Sequence, residues 1–128
     1  MKFSPDTLEI GQLFYEMLNP IAPTFPIVVE QGCPMPYITY RRTALRQPTT
    51  KDAYAYEESA TVELYIVAST YAEAINLAQQ VKIKLETLRG KWRDIFVDGI
   101  RLVNADEEWA ADAYVQRMWW DVTVLNNK

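Results

Sequence analysis

Two segments of the chain place apolar residues three or four positions apart, which is the spacing of an amphipathic helix. The first begins with a helix-start signal at Ser4 and continues to Leu18. The second follows the capping residue Thr70, covers residues 71–89 and stops before Gly90. We therefore predict two helices, each of which lays one apolar face on a sheet.

Elsewhere the pattern alternates with a period of two and is rich in β-branched and aromatic residues, which is typical of strands. Residues 37–43 and 61–67 predict one hairpin with a long tip. Residues 100–104 and 114–125 predict a second hairpin around an acidic, alanine-containing turn. Within the proline-rich connection only residues 27–30 can form a strand, and then an edge or isolated one.

These elements predict an α+β fold. Two helices pack on a mainly antiparallel sheet of about four to five strands, in the order α-β-β-α-β-β with a long hairpin tip. A length of 128 residues and a hydrophobic content of 49% predict a single domain over residues 1–128 with one core. The aromatic share of 12% is high for so short a chain, which hints at ring surface left over for partners.

The side of the second helix that faces away from the predicted core carries no charge, although a solvated helix face usually carries Lys and Glu. We interpret this side as a candidate subunit contact. The alternative is an ordinary polar surface with a single exposed isoleucine. The residues singled out for the contact are Asn76, Gln79, Gln80 and Ile83.

The tip of the first hairpin and the end of its first strand supply further candidates. Tyr54 and Tyr56 alternate with small or acidic neighbours, so the second strand could extend into a projecting arm; a disordered surface loop is the alternative. Arg41 and Arg42 belong to the main basic patch. Its first interpretation is solvation and salt bridging, and its second is docking of an acidic partner.

The last predicted strand has one apolar face and one more polar face. Trp119 falls on the polar face next to charged residues, and a partly exposed tryptophan beside an arginine is a typical interface anchor. Alternatively, a helix covers this face as well and buries Trp119. The two alternatives predict different exposures for the same side chain.

The chain lacks the residues that several kinds of catalysis and ligand binding require. Without histidine, the chain cannot supply a His-based general base, a Ser-His-Asp triad or a histidine metal ligand. The four glycines are scattered, so there is no phosphate-cradling loop, and Cys33 has no second cysteine to pair with. The acidic run that starts at Asp106 lacks the spacing of a calcium loop and predicts a solvated turn. We expect no enzyme, no cofactor and no metal.

Charge and hydropathy limit the partners. A net charge of −4 and a pI near 4.8 oppose nucleic-acid binding that depends on neutralising many phosphates. No segment approaches the roughly 20 apolar residues that a membrane helix requires. We therefore expect neither specific nucleic-acid binding nor a membrane partner.

The order of the segments resembles the tail-completion, or tail-terminator, family of tailed bacteriophages across nearly the whole chain. The most specific likenesses are a Pro-Tyr-Ile-x-Tyr entry to the first hairpin and a strand that runs into a helix beginning Tyr-x-Glu-Ala. Each motif is weak alone, and their order carries the resemblance. The matching segments are Pro36-Tyr37-Ile38-Thr39-Tyr40, Thr61-Val62-Glu63-Leu64-Tyr65 and Tyr71-Ala72-Glu73-Ala74.

This resemblance implies a structural virion protein that assembles in the host bacterial cytoplasm into a ring, usually of six copies. The ring caps the tail tube, stops its elongation and helps to join tail to head. Its partners would be further copies of itself, the tail tube protein and a head-completion or connector protein. The alternative is a small-ligand- or peptide-binding module that uses the aromatic-rich C-terminal hairpin, with Trp109, Trp119, Trp120 and the tyrosines lining a pocket.

Overall fold

The computed structural model describes residues 9–29, 31–46, 57–93 and 95–125. Within these ranges it has two helices and six strands in one sheet of order β1-β2-β3-β6-β5-β4. All neighbouring strands are antiparallel except β1 and β2, which are parallel. The elements are α1 (Ile10–Leu18), β1 (Thr24–Pro26), β2 (Tyr37–Arg46), β3 (Glu57–Ala68), α2 (Tyr71–Glu86), β4 (Gly90–Trp92), β5 (Ile95–Ala110) and β6 (Ala113–Leu125).

The α+β class and the mainly antiparallel sheet are confirmed, whereas the strand count is six rather than four to five. Both predicted hairpins are present as the pairs β2/β3 and β5/β6. They join through β3 and β6, which pair continuously from Glu57↔Leu125 to Ala68↔Tyr114. The two additional strands, β1 and β4, have three residues each and lie at the two ends of the strand order. Segments this short give little periodic signal in a sequence.

Both helices pack against the same face of the sheet, because residues of α1 and α2 belong to one buried cluster with alternate residues of β2, β3, β5 and β6. Burial of this cluster from water is the main force that holds the layers together. Its members include Ile10, Leu13, Phe14, Leu18, Ile38, Val62, Leu64, Ile66, Leu77, Val81, Leu85, Trp120, Val122 and Val124. The opposite face of the sheet, which we call the open face, is covered by neither helix.

Helix α2 begins as predicted, since the Thr70 hydroxyl accepts a hydrogen bond from the backbone N–H of Glu73 at 3.2 Å. It ends at Glu86, three residues before the predicted end, where the Thr87 hydroxyl donates to the Ile83 carbonyl at 2.9 Å. Gly90 then adopts φ +111 and starts β4. The predicted start of α1 at Ser4 lies outside the described residues. Neither helix has the length and apolar character needed to cross a membrane, as far as the described ranges show.

The prediction of a strand at residues 27–30 is wrong for residues 27–29, and Glu30 lies outside the described residues. The strand is β1, which ends at Pro26, and the next residue, Ile27, has φ +67. The N–H of Ile27 still donates to the Tyr40 carbonyl at 2.7 Å, but its left-handed backbone conformation turns the chain away from the sheet. β-Branched residues favour strands, so their propensity misled the prediction.

The prediction of a solvated turn around Asp106 is also wrong. Strand β5 continues through this acidic segment to Ala110, and the chain reverses at Ala111 and Asp112, which have φ +51 and +61. A two-residue turn with two positive φ angles matches the twist of a hairpin. We call residues 104–117 the hairpin arm. It is a strand pair because the acidic residues of β5 face hydrogen-bonding partners on β6, including Arg117.

Candidate functional site

The open face of the sheet carries rows of paired charges. Arg41 Nε donates to Glu63 Oε1 at 3.2 Å, and the Tyr65 hydroxyl donates to the other carboxylate oxygen at 3.3 Å. The side chain of Glu63 is only 8% exposed, so its charge is held by these two donors, whereas 61% of the Arg41 side chain remains exposed. Arg41 therefore combines salt bridging with an accessible guanidinium.

A second group on the open face surrounds Asp121. The Thr61 hydroxyl donates to Asp121 Oδ1 at 2.7 Å, and Arg46 and Arg101 approach the same carboxylate at 3.3 and 3.7 Å. These contacts join β2, β3, β5 and β6 across the sheet. Because every partner is a polar side chain on an uncovered face, the group stabilises the sheet surface and leaves it hydrophilic.

Trp119 lies on the open face and is half-buried. The Arg117 guanidinium lies 5.5 Å from the centre of its ring, within the range of a cation–π contact. The structure thus favours the partly exposed alternative over a covering helix, because both described helices pack on the other face. The role of Trp119 as an interface anchor stays a prediction.

The uncharged side of α2 is a surface. Asn76, Gln79 and Gln80 are exposed, and Ile83 is 67% exposed although it is a large aliphatic residue. Gln80 Nε2 donates to Asn76 Oδ1 at 3.4 Å, one turn away on the helix. The sequence prediction correctly separated this side from the core, and its use in a subunit contact stays a prediction.

The remaining predicted site residues are dispersed. Arg42 is exposed on β2, opposite Val62, and so it points to the other side of the strand from Arg41. Tyr54 and Tyr56, proposed as part of a projecting arm, lie outside the described residues. The structure does not bring Arg41, Arg42, Trp119 and the α2 surface into one site.

A pocket of about 230 Å³ lies beside the hairpin arm, and of the three tryptophans predicted to line a pocket only Trp109 lines it. Trp109 is 57% exposed and packs edge-on against Tyr114 at a ring distance of 4.8 Å, and Tyr114 in turn packs against Tyr71 at 5.8 Å. The helical spacing places Tyr71 on the apolar side of α2, yet its side chain is 48% exposed. The lining residues are Tyr71, Glu107, Glu108, Trp109, Tyr114, Val115 and Gln116.

The carboxylate of Glu107 organises this pocket. It accepts hydrogen bonds from the Tyr71 hydroxyl at 3.1 Å and from Gln116 Nε2 at 2.9 Å. The hydrogen bond to Glu107 raises the pKa of the exposed Tyr71 hydroxyl above its usual value, because loss of the phenolic proton would leave two negative charges in contact. The pocket therefore has aromatic walls and an acidic rim.

The three tryptophans do not line one pocket, which corrects that version of the ligand-binding alternative. Trp120 is fully buried under the helices, Trp119 lies on the open face, and Trp109 projects from the hairpin arm. Adjacent strand residues point to opposite faces, so Trp119 and Trp120 cannot share a pocket. In the described part of the chain, no three acidic or cysteine side chains are grouped so as to hold a metal ion.

Comparison with known proteins shows that the fold of this chain is similar to that of a solved structure. No protein-family model and no curated protein sequence matches the chain. Among solved structures, the chain is similar to a protein chain in the virion of a native gene transfer agent particle, with a TM-score of 0.68 and 10% sequence identity. The match covers 88% of this chain and 84% of the other. At this identity the comparison shows that the two chains share a fold.

Proposed function

We propose that this chain is a structural virion protein of a phage or phage-like particle, and more specifically a tail terminator. Several copies form a ring on the end of the tail tube, stop its elongation and help to join the tail to the head. The observation that carries the proposal is the shared fold with a chain of a gene transfer agent virion over most of both lengths. The finer assignment is supported by the order of motifs in the sequence, which resembles the tail-terminator family.

The surfaces of the subunit suit such a role. A closed ring needs two different patches on each copy, because each neighbour is contacted through an unlike surface. The chain offers the uncharged side of α2 around Ile83, the open face with Trp119, and the aromatic hairpin arm with Trp109. Exposed large apolar side chains set among polar neighbours are a common mark of protein interfaces.

The role is structural and needs neither a cofactor nor a catalytic group from this chain. The partners are other copies of the chain, the tail tube protein and a head-completion or connector protein. A net charge of −4 suits a protein through whose ring DNA must pass, since like charge discourages phosphates from binding. Assembly takes place in the host cytoplasm before the tail joins the filled head.

The competing function, a small-ligand-binding module, would use the aromatic pocket of the hairpin arm. At about 230 Å³ this pocket is smaller than the roughly 300–1,000 Å³ of typical ligand sites. It opens beside a strand edge and carries the acidic side chains Glu107 and Glu108 on its lining. A side chain of a protein partner fits this site better than a small molecule.

The proposal is tested by electron microscopy of lysates from the phage or prophage that encodes this chain, with and without its gene. Overlong or unjoined tails beside filled heads would support a terminator, and restoring the gene should restore normal tails. Complementation with Ile83→Asp should fail or weaken, whereas the neutral Ile83→Asn serves as a matched control. Infectious particles of normal tail length without the gene would refute the proposal.

A further inference from the structure

A strained turn displays two aliphatic side chains next to β1. Ile27 has φ +67, and the N–H of Val28 donates to the Pro26 carbonyl at 2.6 Å, which closes a three-residue turn around Ile27. Ile27 and Val28 are each 70% exposed. A β-branched residue at positive φ is rare, and strain of this kind is often found at functional sites. We call these two residues the knob.

The knob and the aromatic pocket lie at opposite edges of the same sheet. β1 is the first strand in the strand order. At the other edge, β4 pairs with β5 only from Ile95 to Val97, so in the described part of the chain β5 is itself the edge strand along the hairpin arm. Opposite edges are the surfaces that meet when copies of a subunit are arranged head to tail.

The two edges also carry opposite charge. Ile27 lines a pocket of about 350 Å³ with Arg41 and its ion-pair partner Glu63, and on the same strand the guanidinium of Arg42 is exposed next to this edge. In residues 104–117, four acidic residues and one arginine leave a formal charge of −3. Glu107 accepts from neutral donors, and Glu108 is 3.9 Å from Arg117 with 41% of its side chain exposed. Complementary charge of this kind guides and orients association.

We propose that the knob of one copy inserts into the aromatic pocket of the next copy, with Arg42 facing Glu108. The occupant of the pocket is therefore a second copy of this chain. The contact is heterologous, since a knob meets a pocket rather than another knob, and repetition of it builds a ring or a filament instead of a closed dimer. This contact rests on the ring proposed above and names the surfaces that form it.

The contact is tested by crosslinking between cysteines. In a Cys33→Ser background, Val28→Cys and Glu108→Cys place one thiol on the knob and one on the pocket rim, and a short bismaleimide then links thiols that lie close together. A heterologous contact gives a ladder of dimers, trimers and larger species on a denaturing gel. The matched control replaces Glu108→Cys by Asp98→Cys, an exposed position on β5 roughly 30 Å from the pocket, and should give no ladder.

A charge exchange provides a second measurement on the intact chain. Arg42→Glu and Glu108→Arg should each weaken self-association by roughly tenfold or more, and the double variant should recover most of the loss. Native mass spectrometry at a series of protein concentrations gives the masses and association constants. Both positions are exposed, so circular dichroism should report an unchanged fold in all three variants.

The outcomes separate this contact from the proposed function. A ladder from the knob and pocket pair alone, with rescue by the double variant, supports the contact. Rings seen by native mass spectrometry without a ladder overturn the contact and leave the ring intact. Crosslinked dimers without larger species overturn it by showing a symmetric contact. A chain that stays monomeric and uncrosslinked also overturns it, and tail length in the gene-deletion lysate then decides the terminator function independently.

Discussion

Asp106 and Arg117 form a two-point ion pair across the hairpin arm, in which Arg117 Nε donates to Asp106 Oδ1 at 2.7 Å and a terminal nitrogen donates to Oδ2 at 2.5 Å. The two residues are direct cross-strand partners on β5 and β6. Charge-assisted, two-point bonding is the strongest form of this interaction. It accounts for the extended conformation of an acidic segment that no helix covers.

The Asp106 and Arg117 pair predicts a pH dependence. Hydrogen bonding to Arg117 lowers the pKa of Asp106 below its usual value near 3.8. The contribution of the Asp106 carboxylate to stability is therefore fully present above the usual pKa. It is lost as the pH falls through the lower pKa of the folded state. Thermal unfolding from pH 7 to 2 should show Asp106→Asn slightly less stable than wild type at neutral pH, with the difference vanishing in acid. Asp98→Asn on the same strand is the control, and a difference that does not change with pH would contradict the assignment.

Substitution of two nearby residues on α2 should change the stability of the fold by very different amounts. Ile83 is 67% exposed and Leu85 is fully buried. Ile83→Asp should change the free energy of unfolding by no more than about 0.5 kcal/mol, whereas Leu85→Ala should lower it by about 2–5 kcal/mol. Urea unfolding followed by circular dichroism measures both. A large loss for Ile83→Asp would place this residue in the core and remove it from the candidate contact.

Relief of backbone strain at Ile27 should stabilise the free subunit. A residue with a Cβ at φ +67 costs roughly 1–2 kcal/mol relative to glycine, so Ile27→Gly should raise the free energy of unfolding by about 1 kcal/mol after the greater entropy of unfolded glycine is taken into account. The control is Val28→Gly, at a position where φ is not positive, and it should not stabilise. If Ile27→Gly lowers the midpoint of thermal unfolding, the strain assigned to this turn is absent.

The Tyr71 hydroxyl reports on the pocket through its titration. Hydrogen bonding to Glu107 raises the pKa of Tyr71 above its usual value of 10, so Glu107→Gln should lower it. The stabilising effect of this pair is complete below pH 10 and is lost as the pH rises through the raised value. NMR titration of the tyrosine ring signals between pH 8 and 12 resolves Tyr71 from the others. If the pKa of Tyr71 is the same in the variant as in wild type, Tyr71 and Glu107 are not hydrogen-bonded in solution.

The sequence by itself determined the local elements. Helical spacing and the Thr70 cap located α2, and period-two alternation located both hairpins, because burial of one face imposes a repeat that can be read directly from the chain. The same alternation predicted that Trp119 and Trp120 lie on opposite faces of β6. The helical spacing of α2 predicted that Ile83 faces away from the core. These features depend on residues close together along the chain.

Only the tertiary structure decided which distant residues meet. The acidic segment became part of β5 because Asp106 finds Arg117 on β6, and the aromatic pocket formed because the start of α2 brings Tyr71 beside Trp109 and Tyr114. The N–H of Ile27 bonds to the Tyr40 carbonyl on β2, and its backbone has a positive φ against its own preference for a strand. Such contacts join residues far apart in the chain, and no local repeat records them.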